Sequence, residues 1–110
     1  MSITVNIYYS GTNGNAKKFA KEMVTSGIVE RIRNETGNLR YEYFFPMEDE
    51  ETVLLIDSWL NQEALATHHE SPMMEQIAAL REKYDLHMKV ENYRFDETES
   101  INESESYIRK

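Results

Sequence analysis

The sequence predicts an α+β domain of the ferredoxin-like type, in which two helices cover one face of a four-stranded antiparallel sheet. Three observations lead to this prediction. Residues alternate in polarity near both ends of the chain, apolar residues recur at helical spacing in two stretches, and a short acidic turn joins two strands. The resulting order of elements is βαββαβ, with the second helix broken in two.

Periodicity identifies the first strand and the first helix. The strand is indicated by apolar residues at every second position, namely Ile3, Val5, Ile7 and Tyr9. Asn13 or Asn15, in the turn that follows, could cap the next helix. That helix is predicted over residues 16–35 from a stripe at helical spacing, namely Phe19, Met23, Ile28 and Ile32. Gly27 predicts a bend in it, and Gly37 a stop.

A hairpin follows. Residues 39–47 and 52–59 are rich in β-branched and aromatic side chains, which favour strands. Pro46 fits only at the end of the first of these strands. The acidic turn at residues 48–51 is short, so the two strands should pair in antiparallel fashion.

The second helix and the last strand complete the domain. Asn61 is predicted to cap a short helix that runs to His69, and Ser71 to cap another with Pro72 at its first position. The buried stripe of that helix is Met73, Ile77, Leu80 and Tyr84. Asp85 ends it, and residues 86–95 are predicted to form the last strand.

The chain ends in an acidic segment. Residues 96–106 contain five carboxylates and no basic residue. The apolar side chains beyond Phe95 are too few to form a core of their own. We therefore predict a domain over residues 1–95 and an acidic C-terminal tail over residues 96–110.

Composition excludes several classes of function. The chain has 110 residues, of which 40% are hydrophobic and 29% charged, as expected for one soluble globular domain. It has no cysteine, which excludes disulfides, thiolate nucleophiles and Cys-ligated metals. A net charge of −8 argues against a nucleic-acid surface. No apolar run approaches the ~20 residues that span a membrane. The N-terminus lacks the features of a signal peptide, so we expect a cytoplasmic location.

The sheet face turned away from the helices predicts self-association. It mixes aromatic and charged side chains, namely Thr4, Asn6, Tyr8, Arg40, Glu42, Phe44, Lys89, Glu91 and Tyr93. Such a face is too apolar for water and too polar for a core. Self-association is the commonest way to cover it, so we expect a homodimer packed sheet against sheet.

Three local signals allow more than one interpretation. Residues 10–15 connect a strand to a helix as the phosphate loop of flavodoxin-like proteins does, although a plain connection explains them better. His68 and His69 are adjacent and would point about 100° apart on a helix, so no metal site is predicted. Trp59, the only tryptophan, could fill the core or form the wall of a pocket.

Residues 35–74 resemble the antibiotic-biosynthesis-monooxygenase family, whose members include quinol monooxygenases that work without metal or flavin. The matching segments are Glu35-Thr36-Gly37-Asn38, the aromatic Tyr41-Glu42-Tyr43, Asp57-Ser58-Trp59, and Ala64 to His68 followed by Ser71-Pro72. The looser match extends over residues 3–95. The family usually has Glu where this chain has Asp57, so a role that depends on the reach of that carboxylate stays open.

The resemblance implies a dimeric α+β barrel that oxidises a small electron-rich aromatic, such as a quinol or polyphenol, directly with O₂ and without cofactor or metal. His68 would be the base or an orienting donor in this chemistry. Trp59 would be the aromatic wall of the pocket, and Asn6, Tyr41 and Tyr43 its polar contacts.

Three alternatives to this enzyme stay open. The first is a non-catalytic dimeric module of the same fold that binds a small molecule. The second is a flavin-binding protein that uses the loop at residues 10–15. The third is a haem-degrading relative, although such relatives tend to have Trp at the position of His68 and a haem-ligating His at that of Ala78.

Overall fold

The computed structural model describes residues 1–95 and confirms the predicted ferredoxin-like α+β fold. The strands are β1 (Ser2–Ser10), β2 (Asn38–Phe44), β3 (Thr52–Trp59) and β4 (His87–Phe95), and the helices are α1 (Asn15–Thr25), α2 (Ile28–Arg33), α3 (Gln62–His69) and α4 (Met73–Lys83). The predicted acidic tail at residues 96–110 lies outside the described residues. None of the helices described is long and apolar enough to cross a membrane.

The four strands form one antiparallel sheet in the order β2-β3-β1-β4. Val5 of the central strand β1 lies opposite Asp57 on one side and Asn92 on the other. Because side chains alternate between the faces of a sheet, these three residues share the face that the helices cover. Thr4, between two buried neighbours of β1, points to the open face, as the alternation predicts.

The first helical region is two helices, because the chain bends at Gly27 as predicted. Gly27 has φ +86°, a left-handed conformation that favours glycine, and it separates α1 from α2. The prediction that Asn13 or Asn15 caps α1 is wrong. Gly14 stands at the cap position, and its N–H donates to the Glu51 carboxylate at 3.1 Å.

The hairpin and the second helical region agree with the sequence more closely. Strand β2 is shorter than predicted and ends at Phe44, two residues before the proline that cannot extend it. The Asn61 side chain accepts the Ala64 N–H at 2.9 Å and so caps α3. At α4 the prediction is one residue off: Pro72 stands at the cap position and the helix begins at Met73, whose N–H donates to the Ser71 hydroxyl at 3.2 Å.

The core lies between the sheet and the helices. Helix α1 buries four residues against it, namely Ala16, Phe19, Ala20 and Met23, whereas α4 buries only Ile77. Strand β4 is at an edge that the helices leave uncovered. As a result, Val90 is 48% exposed even though it lies on the helix side of the sheet.

Candidate functional site

A cavity of about 290 Å³ lies between the sheet and helices α3 and α4. We call it the inner cavity. Its lining comes from the helix side of all four strands and from both helices: Val5, Ile7, Tyr9, Tyr41, Leu55, Asp57, His68, His69, Met74, Ile77, Arg81, Met88, Val90 and Asn92. Since β4 is uncovered, the cavity meets solvent along that edge.

His68 is held in the wall of the inner cavity by a carboxylate from a distant part of the chain. Its side chain is nearly fully buried, and its Nδ1 lies 2.8 Å from Oε2 of Glu35, in the turn between α2 and β2. A carboxylate accepts the proton on Nδ1, so in the neutral imidazole Nε2 carries the free lone pair. Among the described residues, no hydrogen bond engages Nε2.

Burial decides the protonation state of His68. It lowers the pKa of the imidazole below its ordinary value, and the opposing effect of Glu35 does not reverse this. The imidazole is therefore neutral near pH 7 and able to accept a proton. The second carboxylate oxygen of Glu35, Oε1, is also buried, and it has no hydrogen-bond partner in the described protein.

Trp59 stands behind His68. Its ring stacks on the imidazole with the centroids 4.6 Å apart and the planes 26° from parallel, and the residue is completely buried. Its Nε1 donates to Oδ1 of Asp57 at 2.6 Å. Trp59 thus does not line the inner cavity; it holds two residues that do.

Asp57 is the residue to which sequence reasoning assigned no role. It is buried on the helix side of β3 and lines the cavity. Burial raises the pKa of its carboxyl to about 7, against a smaller lowering by the Trp59 hydrogen bond. A signal was present in the sequence, because an acid interrupts the apolar set Val53, Leu55 and Trp59 on the buried face of its strand.

The three residues predicted as polar contacts of the pocket lie in different places. Tyr41 lines the inner cavity. Tyr43 does not; its ring packs edge-on against the ring of Tyr41, with the centroids 5.9 Å apart. Asn6 lies on the open face, so the sheet separates it from the cavity. Tyr9, which sequence reasoning treated only as core, is also in the lining, and burial raises the pKa of its hydroxyl to about 12.

The loop at residues 10–15 is occupied by contacts of the protein itself. The amide of Gly14, at the start of α1, already bonds the Glu51 carboxylate, and the side chain of Asn15 donates to the Tyr84 carbonyl at 3.2 Å. A Cβ at Gly11 would lie 2.9 Å from Leu86, so the loop is packed against its neighbour. A flavin phosphate would have to displace Glu51 there.

The fold and the cavity define a small α+β domain with ionisable side chains in the wall of a cavity that is open at one edge. The sequence model of one family, described as antibiotic biosynthesis monooxygenase, matches residues 2–80. The chain belongs to this family. No curated protein matches the sequence at a significant level.

Solved structures share the fold at low sequence identity. A proposed antibiotic biosynthesis monooxygenase from Deinococcus radiodurans is 22% identical with a TM-score of 0.76, over 92% of this chain and 98% of its own. A possible oxidoreductase of unknown function from Bacteroides thetaiotaomicron is 20% identical with a TM-score of 0.75, over 86% and 97%. SnoaB, a cofactor-independent oxygenase from Streptomyces nogalater, is 10% identical with a TM-score of 0.71, over 88% and 95%. At these identities the likeness shows the fold alone.

Proposed function

We propose that the protein is a cofactor-independent monooxygenase that oxidises a quinol- or polyphenol-type aromatic with O₂. The observation that carries the proposal is a cavity in which a neutral imidazole and a carboxyl group with a pKa of about 7 lie together in an apolar wall. Such groups are suited to remove and return protons near neutral pH. Membership of the family supports the same type of reaction.

The first step is deprotonation of the substrate. Nε2 of His68 takes the proton of a phenolic hydroxyl, and Glu35 stabilises the imidazolium that forms through the bond to Nδ1. Asp57 is the second acceptor, because a carboxyl with a pKa of about 7 is partly ionised at neutral pH. Trp59 keeps both groups in place by stacking on one and donating to the other.

The reaction with O₂ then balances without a further reductant. The phenolate passes one electron to O₂, and the superoxide and the substrate radical combine to form a carbon–oxygen bond. The peroxide takes back the proton from the protein. Loss of the hydrogen on that carbon and cleavage of the O–O bond release water and leave a carbonyl. The hydroquinone thereby gains one oxygen atom as a hydroxyquinone, and the second oxygen leaves as water.

The inner cavity sets the size of the substrate and protects its intermediates. A dry cavity of about 150 Å³ holds one benzene molecule, so 290 Å³ suits a substituted single ring rather than a polycyclic molecule. Leu55, Ile77 and Val5 supply apolar walls. Walls of this kind limit the contact of a radical pair and a peroxide with water on the side away from β4.

We also propose that the protein is a homodimer that buries the open sheet face. Tyr93 and Phe44 are exposed there, and Leu54 of β3 lies opposite Phe44 on the same face. On the same face, Oδ1 of Asn6 is buried without a hydrogen-bond partner in the described chain. Sedimentation at micromolar concentration should report about twice the mass of the chain. A monomer at that concentration would contradict this part of the proposal.

Oxygen uptake with a panel of single-ring hydroquinones tests the enzymatic proposal. The protein is first treated with a chelator, and labelled O₂ is supplied. We expect one labelled oxygen in the quinone product and one in water. If the protein binds the hydroquinones but consumes no O₂ with any of them, it is a binding module of the same fold instead.

A further inference from the structure

Arg81 is an unpaired cation in the lining of the inner cavity. It lies in the last turn of α4 and is partly buried. Its only side-chain hydrogen bond within residues 1–95 goes from Nη1 to the Met88 sulfur at 3.0 Å. A thioether is a weak acceptor, so the guanidinium keeps most of its five donors unused.

The other arginines of residues 1–95, namely Arg31, Arg33, Arg40 and Arg94, all have oxygen partners. Arg40 and Lys83 contact carboxylates at 2.9 and 2.8 Å, and Arg33 donates twice to the Tyr41 carbonyl. In the part of the chain that the structure describes, no carboxylate lies within ion-pair distance of Arg81. The protein carries a net charge of −8, so the lack of a partner does not come from a shortage of acids.

The charge of Arg81 acts inside the cavity and not only at its rim. It lowers the pKa of Tyr9, which lines the cavity, against the larger effect of burial. A helix C-terminus stabilises a cation, which accounts for an arginine in the last turn. It does not account for the direction of the side chain, because a solvent-facing arginine would gain the same stabilisation.

We propose that Arg81 binds a carboxylate on the substrate, so that the substrate class is a dihydroxylated aromatic acid and not a neutral hydroquinone. A guanidinium binds a planar two-oxygen anion through two parallel hydrogen bonds, which fix orientation as well as affinity. The acid group then lies beside Arg81, which contacts Met88, and the ring lies against the apolar part of the lining. The phenolic hydroxyl then faces His68 and Asp57.

That the bound acid is a substrate rests on the proposed function. The preference for an acid over an amide does not, because binding is measured without turnover. The experiment is calorimetric titration of the full chain under anaerobic conditions with a dihydroxybenzoate and with the matching dihydroxybenzamide. The two ligands have nearly the same shape, but the amide carries no charge and has an NH₂ donor in place of one acceptor oxygen. The variants are Arg81→Met, which keeps the length of the stem, and Arg81→Lys, which keeps the charge and loses the planar fork.

Arg94→Met is the matched control. Arg94 is on the same edge strand as Met88 and makes one bond to Gln62 at 3.2 Å, but it does not line the cavity. We expect the wild type and Arg94→Met to bind the acid about tenfold or more tightly than the amide. In Arg81→Met the two affinities should agree to within about twofold, with Arg81→Lys in between.

Two results would overturn the inference: equal affinities in the wild type, or a preference for the acid that survives in Arg81→Met. The outcome is independent of the reaction. Oxygen uptake with neutral hydroquinones and no preference for the acid would leave the proposed function standing without this inference. A preference for the acid with no oxygen uptake would leave the binding site standing without the reaction.

Discussion

The helix-covered face of the sheet has two halves that differ in how they are filled. Under α1 and α2 the space is packed with apolar side chains, and Phe19, Met23 and Ile32 have no exposed surface. Under α3 and α4 the same face leaves a cavity of about 290 Å³, and α4 buries only Ile77. The strands are continuous across both halves, so the difference comes from the helices.

Ionisable groups follow the same division. The half under α3 and α4 contains His68, Glu35 and Asp57, whose charges would be costly if they were not paired or neutral. Within residues 1–95, the half under α1 and α2 buries no acid or base. A well-packed first half therefore supports the sheet, while the second half tolerates groups that reduce stability and can do chemistry. Substitutions in the two halves should therefore differ in their effects on stability and on activity.

Phe19→Ala should act mainly on the packed half, although the Phe19 ring also packs against Tyr9 of the cavity lining, with the centroids 4.8 Å apart. Removing a fully buried aromatic ring costs about 3–5 kcal/mol of unfolding free energy. Met74→Ala, beside the cavity and only partly buried, should cost about 1 kcal/mol. Chemical denaturation measures both. Oxygen uptake per folded molecule should be unchanged for Phe19→Ala, and a loss there would show that the two halves are not separate.

Asp57→Asn should change how stability depends on pH. The native pKa of Asp57 is raised from 3.8 to about 7, so the folded protein binds a proton that the unfolded chain has released. The stability that the folded protein gains by holding this proton is fully present below about pH 4 and is lost as the pH rises through about 7. The loss is of the order of 4 kcal/mol at most.

The variant keeps an acceptor for Trp59 but has no charge to bury. It should therefore gain stability over the wild type at pH 8 and differ little from it at pH 4. Denaturation curves at the two pH values give the comparison. A gain of the same size at both would mean that folding does not raise the pKa of Asp57.

Gly37→Ala and Gly27→Ala each place a side chain at a residue with positive φ, one in each half, so their costs in stability can be compared. Both glycines have positive φ, +84° and +86°. At Gly27 an added Cβ meets open space, so only the left-handed strain remains, about 1–2 kcal/mol. At Gly37 the Cβ would lie 2.5 Å from that of Ala64 on α3, so we expect about 2–4 kcal/mol. Thermal unfolding should rank the two in this order, and only Gly37→Ala should also impair the site, because it separates α3 from the turn that holds Glu35.

Of these substitutions, Glu35→Gln should change stability the least. It should also lower the pKa of His68. The hydrogen bond and the charge of Glu35 both raise the pKa of the imidazole, against the larger lowering by burial. Without that charge the pKa of His68 should fall further. Titration followed by NMR of the imidazole carbons would measure this, and an unchanged pKa would show that the pair does not act on His68 as a charge.

The fold could be predicted from the sequence because local patterns determine it. Alternation in β1 and the helical stripe of α1 depend on neighbouring residues, and both are where the sequence predicts them. The same alternation turns Asn6 away whenever Val5 faces the helices, so Asn6 could have been left out of the cavity on sequence alone.

The site was only partly predictable because its contacts join distant parts of the chain. His68 was a candidate through the family resemblance, yet its partner Glu35 is 33 residues away and was part of a motif with no assigned role. Whether Trp59 belonged to the core or to the pocket wall depended on a stacking contact with α3 that no spacing reveals. Asp57 was treated as a departure from the family, and only its burial shows that the shorter side chain still reaches the cavity.

The proposed reaction requires a proton acceptor at His68, in the half under α3 and α4. Oxygen uptake with a single-ring hydroquinone at pH 7, compared between His68→Gln and His87→Gln, tests it most directly. The introduced glutamine amide at the first position can still donate to Glu35 but cannot accept a proton, whereas His87 begins β4, is exposed and does not line the cavity. We expect a loss of turnover of about 10²–10⁴-fold in His68→Gln and none in His87→Gln. Equal rates in the two variants would contradict this requirement.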